Sequence, residues 1–371
     1  MPHAATATGY ACCMATPRTS RKVLPIDLAL QGGGSHGAFT WGVLDRLLDE
    51  ASITPAGISG TSAGALNAAV LATGWAEGGR TGAQAALRAF WRDIGQSQSP
   101  YGGCFGSWKQ AASPGAGLAA FNLEHHPLYA WGQQWLRLFS PYQFNPSGTN
   151  PLRAVLERHV RPQALKQGPL SLFITATAVR SGQARIFDRS DLSIDALLAS
   201  ACLPQIFRAV EIDGEPYWDG GYSGNPALWP LIYHTEALDL LLVKINPLHR
   251  PGTPDTPEEI ADRVNEITFN AGLVGEMRAI GFVQRLLAEG RVDPGQYKSL
   301  RLHMVADDAG LAPLQASSKL NTEPAFLQAL HDLGHGAAQR WLDAHGGDLG
   351  RRSSLDLQGS FLAPVVGPRQ A

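Results

Sequence analysis

Two short apolar runs, each closed by a cluster of small residues and followed by a helix-spaced segment, constrain this chain more than any other feature. The first is Leu24-Pro25-Ile26-Asp27-Leu28-Ala29-Leu30, a run of the kind buried in a parallel sheet. Gln31-Gly32-Gly33-Gly34-Ser35-His36-Gly37 follows, and then Val43, Leu44, Leu47 and Leu48 recur at helical spacing. A second strand, expected over 56–59, runs into Gly60-Thr61-Ser62-Ala63-Gly64 and an alanine-rich helix over 65–71. Alternating strand–turn–helix units predict an α/β fold with a largely parallel sheet.

The pattern resumes further along. A helix is expected over 151–159, strands over 172–179 and 184–187, and a helix over 194–200 with Ser193 as its cap. Asp213-Gly214 between alternating arms predicts a hairpin whose second arm ends at Asp219-Gly220-Gly221. A buried strand is expected over 238–245. Thr256-Pro257-Glu258-Glu259 starts a helix with Ile260, Val264, Ile267, Ala271, Val274 and Met277 on one face. Leu300, Leu302 and Met304 alternate as in a strand, and 326–341 reads as a last amphipathic helix. Residues 101–145 are rich in aromatics and read as an inserted segment of loop and short helix, able to line a tunnel, act as a lid, meet a membrane surface or simply form the core of an inserted subdomain. The expected organisation is a flexible tail over 1–22, a main α/β domain over 23–246, a helical extension over 247–345 packed on the same domain, and a loose tail over 346–371.

Composition excludes several classes. Lys+Arg is 30 against Asp+Glu 32, net −2, so the chain is not a globally basic nucleic-acid binder. It has no apolar run long enough to span a bilayer. The N-terminus lacks the basic and apolar regions of a secretory signal, so the expected location is cytoplasmic, with peripheral membrane contact. The cysteines, at 12, 13, 104 and 202, form no CxxC, which argues against a zinc ribbon or disulfide scaffold. Glu124-His125-His126 has no second ligand cluster at useful spacing, so no metal and no cofactor are expected.

The chemistry is carried by three places. Gly60-Thr61-Ser62-Ala63-Gly64 fits G-x-S-x-G, whose small residues allow a sharp strand-to-helix turn that pushes the serine hydroxyl out over a helix N-terminus. Gly32, Gly33 and Gly34 close the preceding strand and can present unobstructed N–H groups to a developing oxyanion. The same loop matches G-x-G-x-x-G through Gly37, but the acidic residue that a dinucleotide site wants at the end of the next strand is absent. Asp219, followed by Gly220 and Gly221, is the candidate base, with an Asx turn as the plainer reading. A Ser-His-Asp order using His234, His249, His303, His331 or His335 is formally available, yet an α/β-hydrolase places several strands before its elbow and here one fits.

These three motifs in order resemble the patatin-like phospholipases, over roughly 26–246, and Ala199-Ser200-Ala201-Cys202-Leu203-Pro204-Gln205-Ile206-Phe207 resembles the family segment before the aspartate. The resemblance implies a three-layer α/β sandwich with a mostly parallel sheet. It implies a Ser62–Asp219 dyad without a catalytic histidine, an oxyanion hole at Gly32, Gly33 and Gly34, and motif glycines at Gly37, Gly60, Gly64, Gly220 and Gly221. The family loop often carries Arg where this chain has His36. The expected substrate is a lipid or small ester. Acyl transfer, thioester hydrolysis and a non-catalytic lipid-binding module are the alternatives. An aspartate is a weak base at its reference pKa of ~3.9, so a working Asp219 is expected to be desolvated with a raised pKa.

Overall fold

The computed structural model describes residues 23–97, 117–124, 129, 131–132 and 138–363. The tail over 1–22, Cys12, Cys13, Cys104, His125, His126 and much of the aromatic segment lie outside them.

The core of the fold is one sheet built on the two expected glycine-capped strands. β1 (Leu24–Leu30) is central, with β2 (Ile53–Thr61) on one side and β7 (Asp239–Val243) on the other, all parallel. β3 (Ser171–Ala178) continues in parallel beyond β2, and β8 (Arg301–Val305) beyond β7. Antiparallel strands finish the β3 side: β4 (Ala184–Phe187), and a hairpin of β5 (Val210–Ile212) and β6 (Glu215–Asp219). The order is β5-β6-β3-β2-β1-β7-β8, with β4 also pairing β3.

Helices cover both faces, because parallel strands buried on both sides are apolar throughout. On one face pack α1 (Gly37–Leu48), α2 (Ala63–Gln96), α3 (Leu152–His159), α4 (Ile194–Ser200) and α6 (Pro324–His345), burying Phe39, Leu44, Phe90, Leu156, Leu197, Phe326 and Trp341. On the other lie α5 (Pro257–Ala288) and the segment after α6, burying Leu273, Met277, Ile280 and Phe361. β7 shows the period-2 logic: Leu241 and Val243 face the first layer, Leu240 and Leu242 the second. The fold is thus a mostly parallel sheet between helical layers. The α1–α6 crossing is close enough that a Cβ on Gly42 would lie 1.9 Å from the His331 carbonyl oxygen.

Several expectations need correction. The second strand is longer than 56–59, and the helix after Ser62 runs to Gln96 with non-helical backbone at Gly78 and Gly79. Its second half stays because Ala83, Leu87, Phe90 and Trp91 bury a further apolar stripe. The face of α5 is only partly core: Met277 is buried, but Ile260, Val264 and Ile267 are 47%, 58% and 53% exposed. The extension is not purely helical, since it supplies β8 to the sheet. Residues 346–363, expected to be loose, are tied to the β8 edge. The Ser354 and Leu355 N–H groups donate to the Leu302 carbonyl, Gly350 N–H donates to Asp239, and Phe361 is buried. Backbone pairing at an open strand edge does not depend on side-chain pattern, so the polar composition concealed it.

Candidate active site

Parallel strands bring the ends of β1 and β2 to the same edge of the sheet, and the β6 terminus joins them across β3. Thr61 pairs with Thr175, and Asp219 pairs with the neighbouring Ala176. Three sequence-distant motifs therefore meet at the C-terminal ends of the central strands, where open α/β sheets place ligands.

The elbow is tight and strained. Ser62 sits between β2 and α2 with φ 53°, one of two non-glycine residues in this backbone region among the described residues. Such a cost persists where the surroundings impose it. They do so here: a Cβ on Gly64 would lie 2.2 Å from the Leu30 carbonyl oxygen, so only glycine lets α2 start against the end of β1. Gly60 abuts Gly64 across the turn, and Gly37 abuts Ala63. Ser62 N–H donates to Ser200 Oγ at 2.9 Å, so the helix before the hairpin also holds the elbow.

The glycine loop lies directly on this turn. A Cβ on Gly32 would come within 2.6 Å of Ser62 Cβ. Gly34 has φ +58° and packs against the Lys319 backbone. The expected trio of donors is corrected at Gly32: its N–H donates to Asn225 Oδ1 at 2.6 Å and is not free to face a substrate. Among the described residues, the N–H groups of Gly33 and Gly34 donate to no neighbour. Buried side chains fix the loop. Asn246 Nδ2 donates to the Gly32 carbonyl at 2.7 Å, and Gln31 Oε1 accepts from the Ile245 and Asn246 N–H groups, both at 2.9 Å.

Asp219 is wholly buried. Its Oδ1 accepts from Gly221 N–H at 2.7 Å, which is the Asx turn; Gly221 also packs on the Phe269 ring and Gly220 on the Thr175 carbonyl. Its Oδ2 has no hydrogen-bond partner. Burial raises the carboxyl pKa to about 6, opposed by the Gly221 N–H, by Ser62 and by the charge of Lys319. Ser62 is thus close enough to act on the carboxyl, although its hydroxyl makes no bond of full geometry to Oδ2.

His36 does not take the place of a loop cation. It is buried, its Nε2 lies 2.8 Å from Ser318 Oγ, and desolvation pushes its pKa down to about 3, so it is neutral. Of the triad candidates, His303 is engaged with Asp239 and His331 with Asp45. No histidine lines the cavity among the described residues. Nor does any group of acidic, histidine or cysteine residues among them suit a metal ion. Cys202 is free and buried, and burial pushes its thiol up to about 12.

Ser62 and Asp219 open onto a cavity of about 380 Å³. Its lining includes the polar or backbone-exposing Gly33, Gly34, Gln205, Asp262 and Lys319 and the apolar Leu66, Phe90, Ile94, Leu152, Val155 and Ile206. Among the described residues of the aromatic segment, Tyr129 lines it. The sequence reading gave no role to Gln31, Ser200, Asn225, Asn246 or Lys319, because each acts on a partner more than 70 residues away; Gln31 and Ser200 lie in the motif segments, but nothing local showed what they hold.

Ser62, Asp219 and the glycine loop fall within a recognised family region. The family model described as patatin-like phospholipase matches residues 28–232, more than half of the chain, and the chain belongs to that family. Membership supports lipid acyl hydrolase activity in general. Among solved structures, the chain is similar to VipD from Legionella pneumophila at 14% identity, covering 90% of this chain and 72% of that one with a TM-score of 0.39. It is also similar to the ExoU–SpcU heterodimer from the type III secretion system of Pseudomonas aeruginosa, at 18% identity, 92% and 75% coverage and a TM-score of 0.28. No curated protein matches the chain. No helix among the described residues is long and apolar enough to cross a membrane.

Proposed function

We propose that this chain hydrolyses carboxylic esters of lipids, with Ser62 as nucleophile and Asp219 as its base. The observation that carries this reading is the free Oδ2 of a fully buried Asp219, raised to about pH 6 beside a strained serine. An ordinary carboxylate is too weak to accept a serine proton; one moved towards neutrality is a better match.

Ser62 Oγ attacks the ester carbonyl while Asp219 Oδ2 accepts its proton. The carbonyl oxygen gains charge beside the Gly33 and Gly34 N–H groups and the N-terminus of α2. Each such donor is worth roughly 3–4 kcal/mol in the transition state. Asp219 returns the proton to the leaving alcohol; it then takes a proton from the water that attacks the acyl-serine carbonyl and passes it to Ser62 Oγ as the Oγ–acyl bond breaks and the fatty acid leaves. The apolar wall from Leu66 to Ile206 suits an acyl chain, and α3 and α4 hold that wall by packing on the same core as α2. No step calls for a metal.

The test is a fluorophosphonate probe with a parallel assay of phospholipid and p-nitrophenyl butyrate turnover. Wild type should label and turn over both, whereas Ser62→Ala should do neither. Labelling of Ser62→Ala equal to wild type would remove Ser62 from the nucleophile role. Full turnover by Asp219→Asn would remove the dyad. Transfer of the acyl group to an added alcohol in preference to water would favour an acyltransferase over a hydrolase.

A further inference from the structure

We propose that Lys319 is a specificity-determining residue that holds the phosphodiester of a glycerophospholipid next to Ser62. The inference rests on the ester-hydrolase reading above and names the substrate feature that the site selects.

Lys319 is the one lysine or arginine lining the cavity among the described residues. It lies outside the matched family region, between β8 and α6, so no motif marks it. Its ammonium donates to Asn246 Oδ1 at 2.9 Å, a neutral acceptor that occupies one of its three N–H groups. No carboxylate pairs with it among the described residues, although Glu266, Asp262 and Asp219 all contribute to its field. Each of these accepts its hydrogen bonds from other groups, with Asp219 Oδ2 left unpaired. Glu266 is held by Arg250 at 2.8 Å and Arg263 at 3.0 Å, Asp262 accepts from Ala316 N–H at 3.0 Å, and Asp219 accepts from Gly221. An ammonium taken from water without a close counter-ion is stabilised by whichever anion enters the cavity.

Position narrows the choice of anion. The Lys319 carbonyl oxygen would lie 2.4 Å from a Cβ on Gly34, so its backbone abuts the loop whose free N–H groups face the reacting carbonyl. Its side chain reaches Asn246, which in turn holds the Gly32 carbonyl. A substrate whose carbonyl sits at Gly33 and Gly34 therefore places groups a few bonds away near the ammonium. In a glycerophospholipid, the group a few bonds from the ester carbonyl is a phosphodiester. His36, on the same loop, cannot supply this charge, because it is neutral and makes its bond to Ser318 without lining the cavity.

The experiment compares dihexanoyl phosphatidylglycerol with dihexanoylglycerol, both monomeric, so that the substrates differ in the phosphodiester headgroup. Wild type should favour the phospholipid in kcat/KM. Lys319→Met should cut that preference about tenfold, mostly through KM, and Lys319→Arg should retain most of it. A preference unchanged in Lys319→Met overturns the proposal. Equal losses on both substrates overturn it too, and point to a role for Lys319 in holding the loop. A second arm needs no turnover: titration of dihexanoyl phosphatidylglycerol into Ser62→Ala and Ser62→Ala/Lys319→Met proteins should show about tenfold weaker binding in the second, and equal binding refutes the inference. A wild type inactive on both esters defeats the hydrolase reading, while the titration still decides the role of Lys319.

Discussion

Replacing Asp219 with Asn should separate stability from catalysis, and the site sets both magnitudes. Burial lifts the Asp219 carboxyl from 3.8 to about 6. That difference of roughly two units, at about 1.4 kcal/mol per unit, amounts to about 3 kcal/mol. The sign follows from proton binding. Between the two values the folded chain holds the proton more tightly than the unfolded chain, so stability from this group falls as pH rises from about 4 to 6, and remains lower above. Asparagine does not ionise, is close in shape and keeps an oxygen for the Gly221 N–H. Asp219→Asn should therefore be more stable than wild type by about 3 kcal/mol at pH 8 and by about half of that at pH 5, while ester turnover falls by about 10²–10⁴-fold. Urea unfolding at the two pH values measures the gap, provided the slope with denaturant is unchanged. A gap that does not depend on pH, or a variant less stable than wild type at pH 8, would refute the claim that this carboxylate is held against its own desolvation. A gain of stability with a loss of activity is the expected signature of a group retained for chemistry.

Three further outcomes follow from the same geometry. Turnover should rise with pH through about 6 and then level, because the Asp219 carboxylate must be ionised to accept the serine proton; a rate that falls across this range in a pH–rate profile would assign the base elsewhere. Asn225→Ala leaves the buried Gly32 N–H without its acceptor, and should cost about 1–3 kcal/mol in denaturant unfolding together with a drop in kcat. His36→Arg should not improve the enzyme: it forces a cation into a buried site near Lys319 and Arg250, with an expected loss of about 3 kcal/mol or more, read as a lowered Tm.

Much of this was legible in the chain. The elements around Leu24–Leu30, Ser62 and Asp219 could be read because their signals are local: an apolar run, a glycine turn and a hairpin dipeptide each act within a few residues. The long α2 was underestimated, because the Gly78-Gly79 break hides a helix that continues only where Phe90 and Trp91 find a core. The exposed Ile260, Val264 and Ile267 show the converse, a helical period that is real while its burial depends on what packs opposite.

The local sequence by itself determined the two glycine turns, the place of Ser62 between a strand and a helix and the aspartate that closes the hairpin, because small residues and turn dipeptides restrict backbone geometry without reference to the rest of the molecule. Only the tertiary structure decided that Asp219 lies in the dark of the core with one oxygen unpaired, and that Asn225 takes the N–H of Gly32. It also decided that Lys319 is the cation lining the cavity among the described residues. These are matters of burial and of partners brought from up to 200 residues away. Desolvation and hydrogen-bond satisfaction depend on what surrounds a group in space, and no local pattern carries that information.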